Sequence, residues 1–317
     1  MQGRGAALAP GIFFDSDMGR GFDAVLALSM LCGLGRSRLI AIGVSHGTLD
    51  AAVFCDVVAR FYGAAGSLPI GIAEDGPKLQ NLAMLQAPLG LSNPDGQPVY
   101  RSNIRTIIDT GDPPVVFRNA LLGQQDMQGI AVLAGPATNL ARMLELAGAR
   151  SIIASKVRML VMSAGAFGGT DVDPRIREDV AAARKVLADW PTPIVAVGLE
   201  AGKAAPFPDK SLESDIAGIP NHPVAAAYRA YREKEPGSIG AQAVLAALYA
   251  TNATAEYFKL SPAGTIEVGN DGQTRFRESA GGNRRYLIVD PDQKERITEA
   301  FVALATVRPG GGRGARG

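Results

Sequence analysis

Short apolar runs alternating with amphipathic helical patterns constrain this chain more than any other feature. Gly11 to Asp15 (GIFFD), Leu39 to Val44 (LIAIGV), Pro69 to Ile72, Ile130 to Leu133, Met159 to Met162 and Pro193 to Val197 (PIVAV) have strand length and are almost wholly apolar. Helical patterns fall between them at Phe22 to Cys32, around Ala51 to Tyr62, at Pro136 to Leu146 and at Glu178 to Asp189. In the last of these Val180, Ala183 and Leu187 share one face. A strand that is apolar on both sides has to be covered on both sides, and the intervening helices supply the cover. The pattern predicts an α/β fold with a mainly parallel open sheet flanked by helices.

Towards the C-terminus the pattern changes. Ala241, Val244, Leu245 and Leu248 have the spacing of a buried helix face. Thr265 to Val268 and Thr274 to Phe276 flank Gly269-Asn270-Asp271-Gly272, which predicts a hairpin. Arg285 to Val289 adds a strand and Lys294 to Leu304 a closing helix. No Pro/Ser/Gly linker sets this part off, so it reads as a C-terminal hairpin and helix appended to one domain over residues 1–307. Residues 308–317, rich in Gly and Arg, read as a disordered tail. Glu74 to Asp112 shows little periodicity, and a stretch of that length inside a domain is a candidate functional loop.

The charge balance narrows the function. The 317 residues carry 32 basic and 31 acidic side chains, for a net charge of +1, so the basic excess of a nucleic-acid or membrane-surface binder is missing. Cys32 and Cys55 sit inside apolar helical patterns and read as buried thiols of a reducing compartment. The N-terminal residues lack a long apolar core, and no run is long enough to span a bilayer. A soluble, cytoplasmic protein is expected.

One segment carries chemistry. Phe13-Phe14-Asp15-Ser16-Asp17-Met18-Gly19-Arg20-Gly21-Phe22-Asp23-Ala24 runs from an apolar strand into two carboxylates, a Gly-rich turn, and a third carboxylate that opens a helix. Ligands of open parallel sheets bind outside the carboxyl ends of strands, where this turn falls. Asp15 and Asp17 have period-two spacing, so continued strand geometry puts both on one side. Their repulsion then calls for a cation, hydrogen-bond donors or a proton. The alternative is that Asp23 caps a helix and Asp15 ties down a turn.

This segment resembles the N-terminal signature of the inosine-uridine-preferring nucleoside hydrolases, one branch of which carries D-T-D-M-G-N-D-V-D-D-A-L-A-L. The resemblance continues along the chain. Val132-Leu133-Ala134-Gly135-Pro136-Ala137-Thr138-Asn139-Leu140 is similar to a G-P-x-T-N-L turn into a helix, and Val161-Met162-Ser163-Ala164-Gly165 to a V-M-G-G strand end. Arg177 to Leu187, Trp190-Pro191-Thr192-Pro193 and Tyr257-Phe258-Lys259-Leu260-Ser261 follow in the family's order. The resemblance implies a Rossmann-like core and hydrolysis of N-ribosyl bonds in nucleosides or related ribosyl compounds, as in purine and pyrimidine salvage. It also implies a bound Ca²⁺ that holds water and ribose hydroxyls, and a homodimer or homotetramer. Asp17 then matches the metal-binding base. Asp15, Asp23, Asn139, Met162, Asp173, Arg175 and Glu200 fall at or near substrate-binding positions, and Ala134 falls where a backbone carbonyl binds metal.

The departures are specific. The second acid of the family's D-D pair is Ala24, and the late acid of an S-W-D-like run is Gly240 after Ser238-Ile239. The ribose-binding E-F-N segment appears as Asp173-Pro174-Arg175, Arg20 replaces a polar residue in the first turn, and the late His has no counterpart. Two carboxylates are thus missing from a calcium site that needs several oxygen ligands. Arg20 or Arg175, pairing with Asp17 and Asp173, is expected to take over part of the missing cation's charge role, unless both point to solvent. His222, in a Pro-Asn-His-Pro helix entry, reads as structural, whereas His46 at the carboxyl end of the second strand is a candidate for the pocket. Two functions stay open: an N-ribosyl hydrolase with Asp17 as water-activating base, and a catalytically silent member that binds a ribosyl ligand or a partner. A third is altered glycoside chemistry using Asp173 or Glu200 as the acid.

Overall fold

The computed structural model describes residues 9–33, 38–63, 68–79, 81–235, 239–251 and 257–305. The six apolar runs each form a strand: β1 (Gly11–Ser16), β2 (Arg38–Val44), β3 (Ile70–Ile72), β4 (Gly129–Ala134), β5 (Val157–Met162) and β6 (Ile194–Ala196). They lie parallel in the order β3-β2-β1-β4-β5-β6. Burial explains their composition. Ile12 and Phe14 enter one apolar core and Phe13 the other, so β1 is buried on both faces of the sheet.

The helices at Phe22–Gly33 and Leu49–Phe61 follow their sequence patterns. The first is buried from Phe22 to Leu31 and packs against the helix Gln242–Thr251, itself apolar along most of its length. The helix expected over Pro136 to Leu146 spans only Thr138–Met143. Its last residues continue as tighter turns, with Glu145 N bonded to Arg142 O and Leu146 N to Met143 O. No helix among the described residues is long and apolar enough to cross a membrane. Both cysteines are free thiols.

Two corrections and one addition to the sequence reading bear on the site. The helix expected from Glu178 to Asp189 forms as Val180–Asp189, and a separate short helix that the pattern did not show, Pro174–Glu178, precedes it, with Asp179 between them. Asp179 leaves helical geometry because its carboxylate accepts from Ala182 N, capping the second helix, and from Thr138 Oγ1. The short helix has its own N-cap, Asp173, with Pro174 at its first position.

The Glu74 to Asp112 stretch is not patternless: it holds a helix, Ala83–Leu89, and a 3₁₀ turn, Ile107–Asp109. It is tied down through Asp56, which accepts from Ser102 Oγ and Asn103 N, both at 2.8 Å. Polar ties of this kind leave no hydrophobic period in a sequence.

The C-terminal part is not an appendage beside the sheet. β8 (Gly264–Val268) and β9 (Thr274–Glu278) form the expected hairpin, and β7 (Phe258–Leu260) pairs antiparallel with β10 (Arg284–Val289). β10 runs parallel beside β6 and carries the same sheet onward through β8. Leu287 enters one core, and Ile266 and Val268 the other. The tail 308–317 and Ser238 lie outside the described residues.

Candidate active site

The strand order reverses between β1 and β4. From β1 the chain builds outward through β2 and β3, then returns to the other side of β1 as β4 and builds away through β5 and β6. The carboxyl ends of β1 and β4 therefore open on a crevice at the switch point of the sheet, where open α/β sheets bind ligands. Asp15 and Ser16 end β1, Asp17 follows, and Ala134, paired with Ser16, ends β4. Two glycines make the packing possible. A Cβ on Gly43 would stand 2.6 Å from Asp15 Oδ1, and one on Gly135 would stand 2.7 Å from Asp17 N.

Arg175 organises the acids. Its Nε donates to Asp17 Oδ2 at 3.2 Å, one terminal nitrogen donates to both oxygens of Asp23 at 3.1 Å, and the other donates to Gln242 Oε1 at 3.1 Å. The reason lies in local sequence. Asp173 accepts from Arg175 N at 2.8 Å, which starts the short helix and fixes the arginine's backbone. The other Asp173 oxygen accepts from Gly165 N at 3.1 Å and from Gln242 Nε2 at 2.8 Å. Asp23 also accepts from Ala243 N at 3.2 Å, so this acid in the first turn of one helix caps the N-terminus of another. The Asp17 and Asp23 charges outweigh the burial of Arg175 and hold its guanidinium more firmly protonated than usual.

Asp17 and Asp15 sit without any exposure. Burial raises the proton affinity of Asp17, with the Arg175 charge working the other way. Burial pushes Asp15 up to about 7, opposed by the hydrogen bond that Asn139 Nδ2 donates to its Oδ1 at 3.0 Å. Asp15 Oδ2, Ser16 Oγ, Asp17 Oδ1, His46 Nδ1, Asn139 Oδ1 and Ser163 Oγ are buried without a hydrogen-bond partner in the protein. Unsatisfied buried polar atoms are rare in native folds, and these six gather at the carboxyl ends of β1, β2, β4 and β5.

A cavity of about 480 Å³ adjoins this cluster, lined by Asp23, Arg175 and Gln242 together with Phe22, Leu199, Tyr231, Ile239 and Gly240. Its size is that of a small-molecule site, which typically spans roughly 300–1,000 Å³. Asp17 does not reach its wall; Arg175 and Asp23, its neighbours, do.

Of the other residues singled out in the sequence, Met162 is buried at the end of β5, its carbonyl accepting from Ala164 N and Val197 N. Glu200 stands apart. It accepts from Phe167 N and lines a different hollow with Phe167 and Tyr286. Arg20 pairs with Glu178, and Arg175 alone takes the acids. His46 Nε2 lies 3.0 Å from Glu178 Oε1. Burial works to raise the Glu178 carboxyl, but the His46 hydrogen bond and the Arg20 charge hold it below its ordinary value. His222 Nδ1 accepts from Val224 N, so its Nε2 donates to Tyr62 Oη at 3.1 Å; burial lowers its pKa to about 4. Sequence reasoning missed Gln242 and Glu178. The one signal for Gln242 was a lone polar residue opening an apolar helix.

The residues present do not fit a bound calcium. Asp17 Oδ2 and both Asp23 oxygens are taken by Arg175, and the Ala134 carbonyl accepts Asp17 N at 3.2 Å. Ala24 and Gly240 bring no oxygen side chain, and a Cβ on Gly240 would meet only open space. Among the described residues no group of three His, Cys, Asp or Glu side chains is arranged to hold a metal. Calcium takes six to eight oxygen ligands.

A sheet with this strand order and acids at its switch point has the architecture of an α/β ligand-binding fold. Residues 12–304 match the family model described as inosine-uridine preferring nucleoside hydrolase, and the chain belongs to that family. The fold agrees. A plant nucleoside hydrolase superposes with a TM-score of 0.70 at 20% identity, over 94% of this chain and 99% of its own. The inosine-uridine preferring nucleoside hydrolase of Bacillus anthracis superposes at 0.69 and 17% identity, with the same coverage. The purine-preferring ribonucleoside hydrolase of Gardnerella vaginalis gives 0.67 and 18%, again with that coverage. No curated protein sequence matches significantly.

Proposed function

We propose that the chain hydrolyses the N-glycosidic bond of a nucleoside or related ribosyl compound, with Asp17 as the base. The observation that carries this reading is Asp17 Oδ1: a buried, unpartnered carboxylate oxygen of raised proton affinity at the sheet's switch point, beside a ligand-sized cavity. A carboxylate whose proton affinity is raised by burial is a stronger base than one in water. In the reaction a water oxygen bonds to the anomeric carbon as the bond from that carbon to the base nitrogen breaks. The electron pair leaves with the base, and the water proton passes to Asp17 Oδ1. Asp23, Gln242 and Arg175 line the cavity with groups that match ribose hydroxyls, and Phe22, Leu199, Tyr231 and Ile239 supply apolar wall for a ring.

Asp17 lies behind Arg175, so a bound ligand has to draw the guanidinium aside before water touches Oδ1. Following the family resemblance, the working form is a homodimer or homotetramer, which light scattering checks.

The test is a screen of common nucleosides and nucleotides by release of free base, with wild type and Asp17→Asn. Turnover falling roughly 100-fold or more in the variant supports the reading. Equal turnover removes Asp17 as the base. Saturable ribosyl binding without any turnover replaces hydrolysis by the silent, ligand-binding alternative.

A further inference from the structure

We infer that the guanidinium of Arg175 is the resident cation of this site, so that the ligand-free protein is complete without a metal. This goes beyond the proposed hydrolysis and holds whether or not the site turns over.

Asp17 and Asp23 converge on the Arg175 side chain, and Asp173 adds a third negative charge within its electrostatic reach. Acids gathered in a buried site repel one another unless a positive charge stands among them. Arg175 is placed to be that charge. Its side chain is only 12% exposed, it makes a fork of contacts, and its backbone is fixed by Asp173. The Ala24 and Gly240 positions make the exchange coherent. Two acids that would need a divalent ion are gone, and a monovalent guanidinium answers the smaller negative charge that remains. Arg20 has only a minor share: it is paired with Glu178 and half-exposed, and its charge adds the smallest of the favourable effects on Asp17. A lysine in place of Arg175 brings the charge as a point and cannot span Asp17, Asp23 and Gln242 together.

The test is thermal unfolding and isothermal calorimetry of the ligand-free full chain, with calcium chloride, a chelator, or millimolar guanidinium chloride as the probes. For wild type, neither calcium nor chelator shifts Tm, and calcium gives no binding heat. Arg175→Ala leaves the carboxylates uncovered and lowers Tm by roughly 5–10 °C. Calcium or guanidinium then restores part of that loss in the variant and not in wild type, a cation response that lost packing alone does not produce.

Micromolar calcium binding by wild type, with a raised Tm, overturns the inference. So does an Arg175→Ala chain as stable as wild type, or one indifferent to both cations. Should Arg175→Ala fail to fold, Arg175→Lys serves. It is expected to melt below wild type and to ignore calcium; calcium binding by it overturns the inference. No hydrolysis by wild type, with neither calcium nor chelator shifting its Tm, would fault the proposed reaction and leave this inference standing.

Discussion

At the scale of single residues the site is a problem of buried charge, and Asp15 shows it most directly. Its carboxyl has no exposure, accepts one side-chain hydrogen bond, from Asn139, and has its pKa raised by burial to about 7 from 3.8. In the unfolded chain it ionises near 4. Between about pH 4 and 7 the folded state therefore holds a proton that the unfolded state has released. Its contribution to stability falls as pH rises through that window and is constant above it. At roughly 1.4 kcal/mol per pKa unit the loss is about 4 kcal/mol. Asp15→Asn keeps an oxygen for Asn139 and cannot ionise. It should match wild type near pH 4 and exceed it by up to about 4 kcal/mol at pH 8, measured by urea unfolding at both. Parallel pH profiles for the two proteins would show that Asp15 is ionised in the fold and that burial does not dominate it. His222 runs the other way. Its pKa is lowered to about 4, so the stability it adds is present above pH 6.5 and lost as pH falls towards 4. His222→Asn, which keeps a capping side chain, should flatten that acid limb in the same experiment.

At the scale of elements, Arg284 holds the end of β10 to the C-terminus of the helix Val180–Asp189. Its guanidinium donates to the carbonyls of Leu187, Ala188, Trp190 and Thr192 and to Asn283 Oδ1. Helix C-termini leave carbonyls unpaired, and a buried five-donor fork satisfies several at once. Arg284→Met should cost about 3 kcal/mol or more by denaturant unfolding, because those carbonyls stay buried without donors. Arg284→Lys, with three donors on a flexible stem, should recover less than half of the loss.

This is also the scale on which sequence and structure part company. Strands were legible because apolar runs buried on both faces leave an unbroken signature, and all six appear within two residues of their expected ends. The acids at the end of β1 were legible because Asp15 and Asp17 interrupt such a run. The short helix Pro174–Glu178 was not, because five residues set by a cap are too few to leave a helical period. Its Asp173 cap and Pro174 start fix the Arg175 backbone, from which the side chain reaches Asp17. The parallel pairing of β10 with β6 was hidden for another reason: partners far apart in a chain leave no local trace of which edge they choose.

At the scale of the molecule, the two apolar cores decide how the chain unfolds. The core on one face of the sheet joins Phe14 of β1, Val132 of β4, Leu245 of the helix Gln242–Thr251, and Ile297 and Phe301 of the closing helix Lys294–Ala305. The other joins Phe13, Leu133 and Trp190 to Ile266 and Val268 of the C-terminal hairpin. Neither core can be completed without residues from both ends of the sequence. Residues 1–307 should therefore melt as one cooperative unit, with calorimetric and van't Hoff enthalpies in agreement. Truncation after residue 256 tests the same logic from the other side. It strips Leu287, Ile297 and Phe301 from one core and Ile266 and Val268 from the other. It also leaves β6 as a bare edge of a largely parallel sheet, a template for pairing with another copy. The truncated chain should aggregate, or lack a sharp transition, where the full chain stays dispersed. A truncated chain that stayed monomeric and melted as sharply as the full one would mean that β7 to β10 and the closing helix form a unit of their own. The crevice between β1 and β4 would then stand on the first six strands alone.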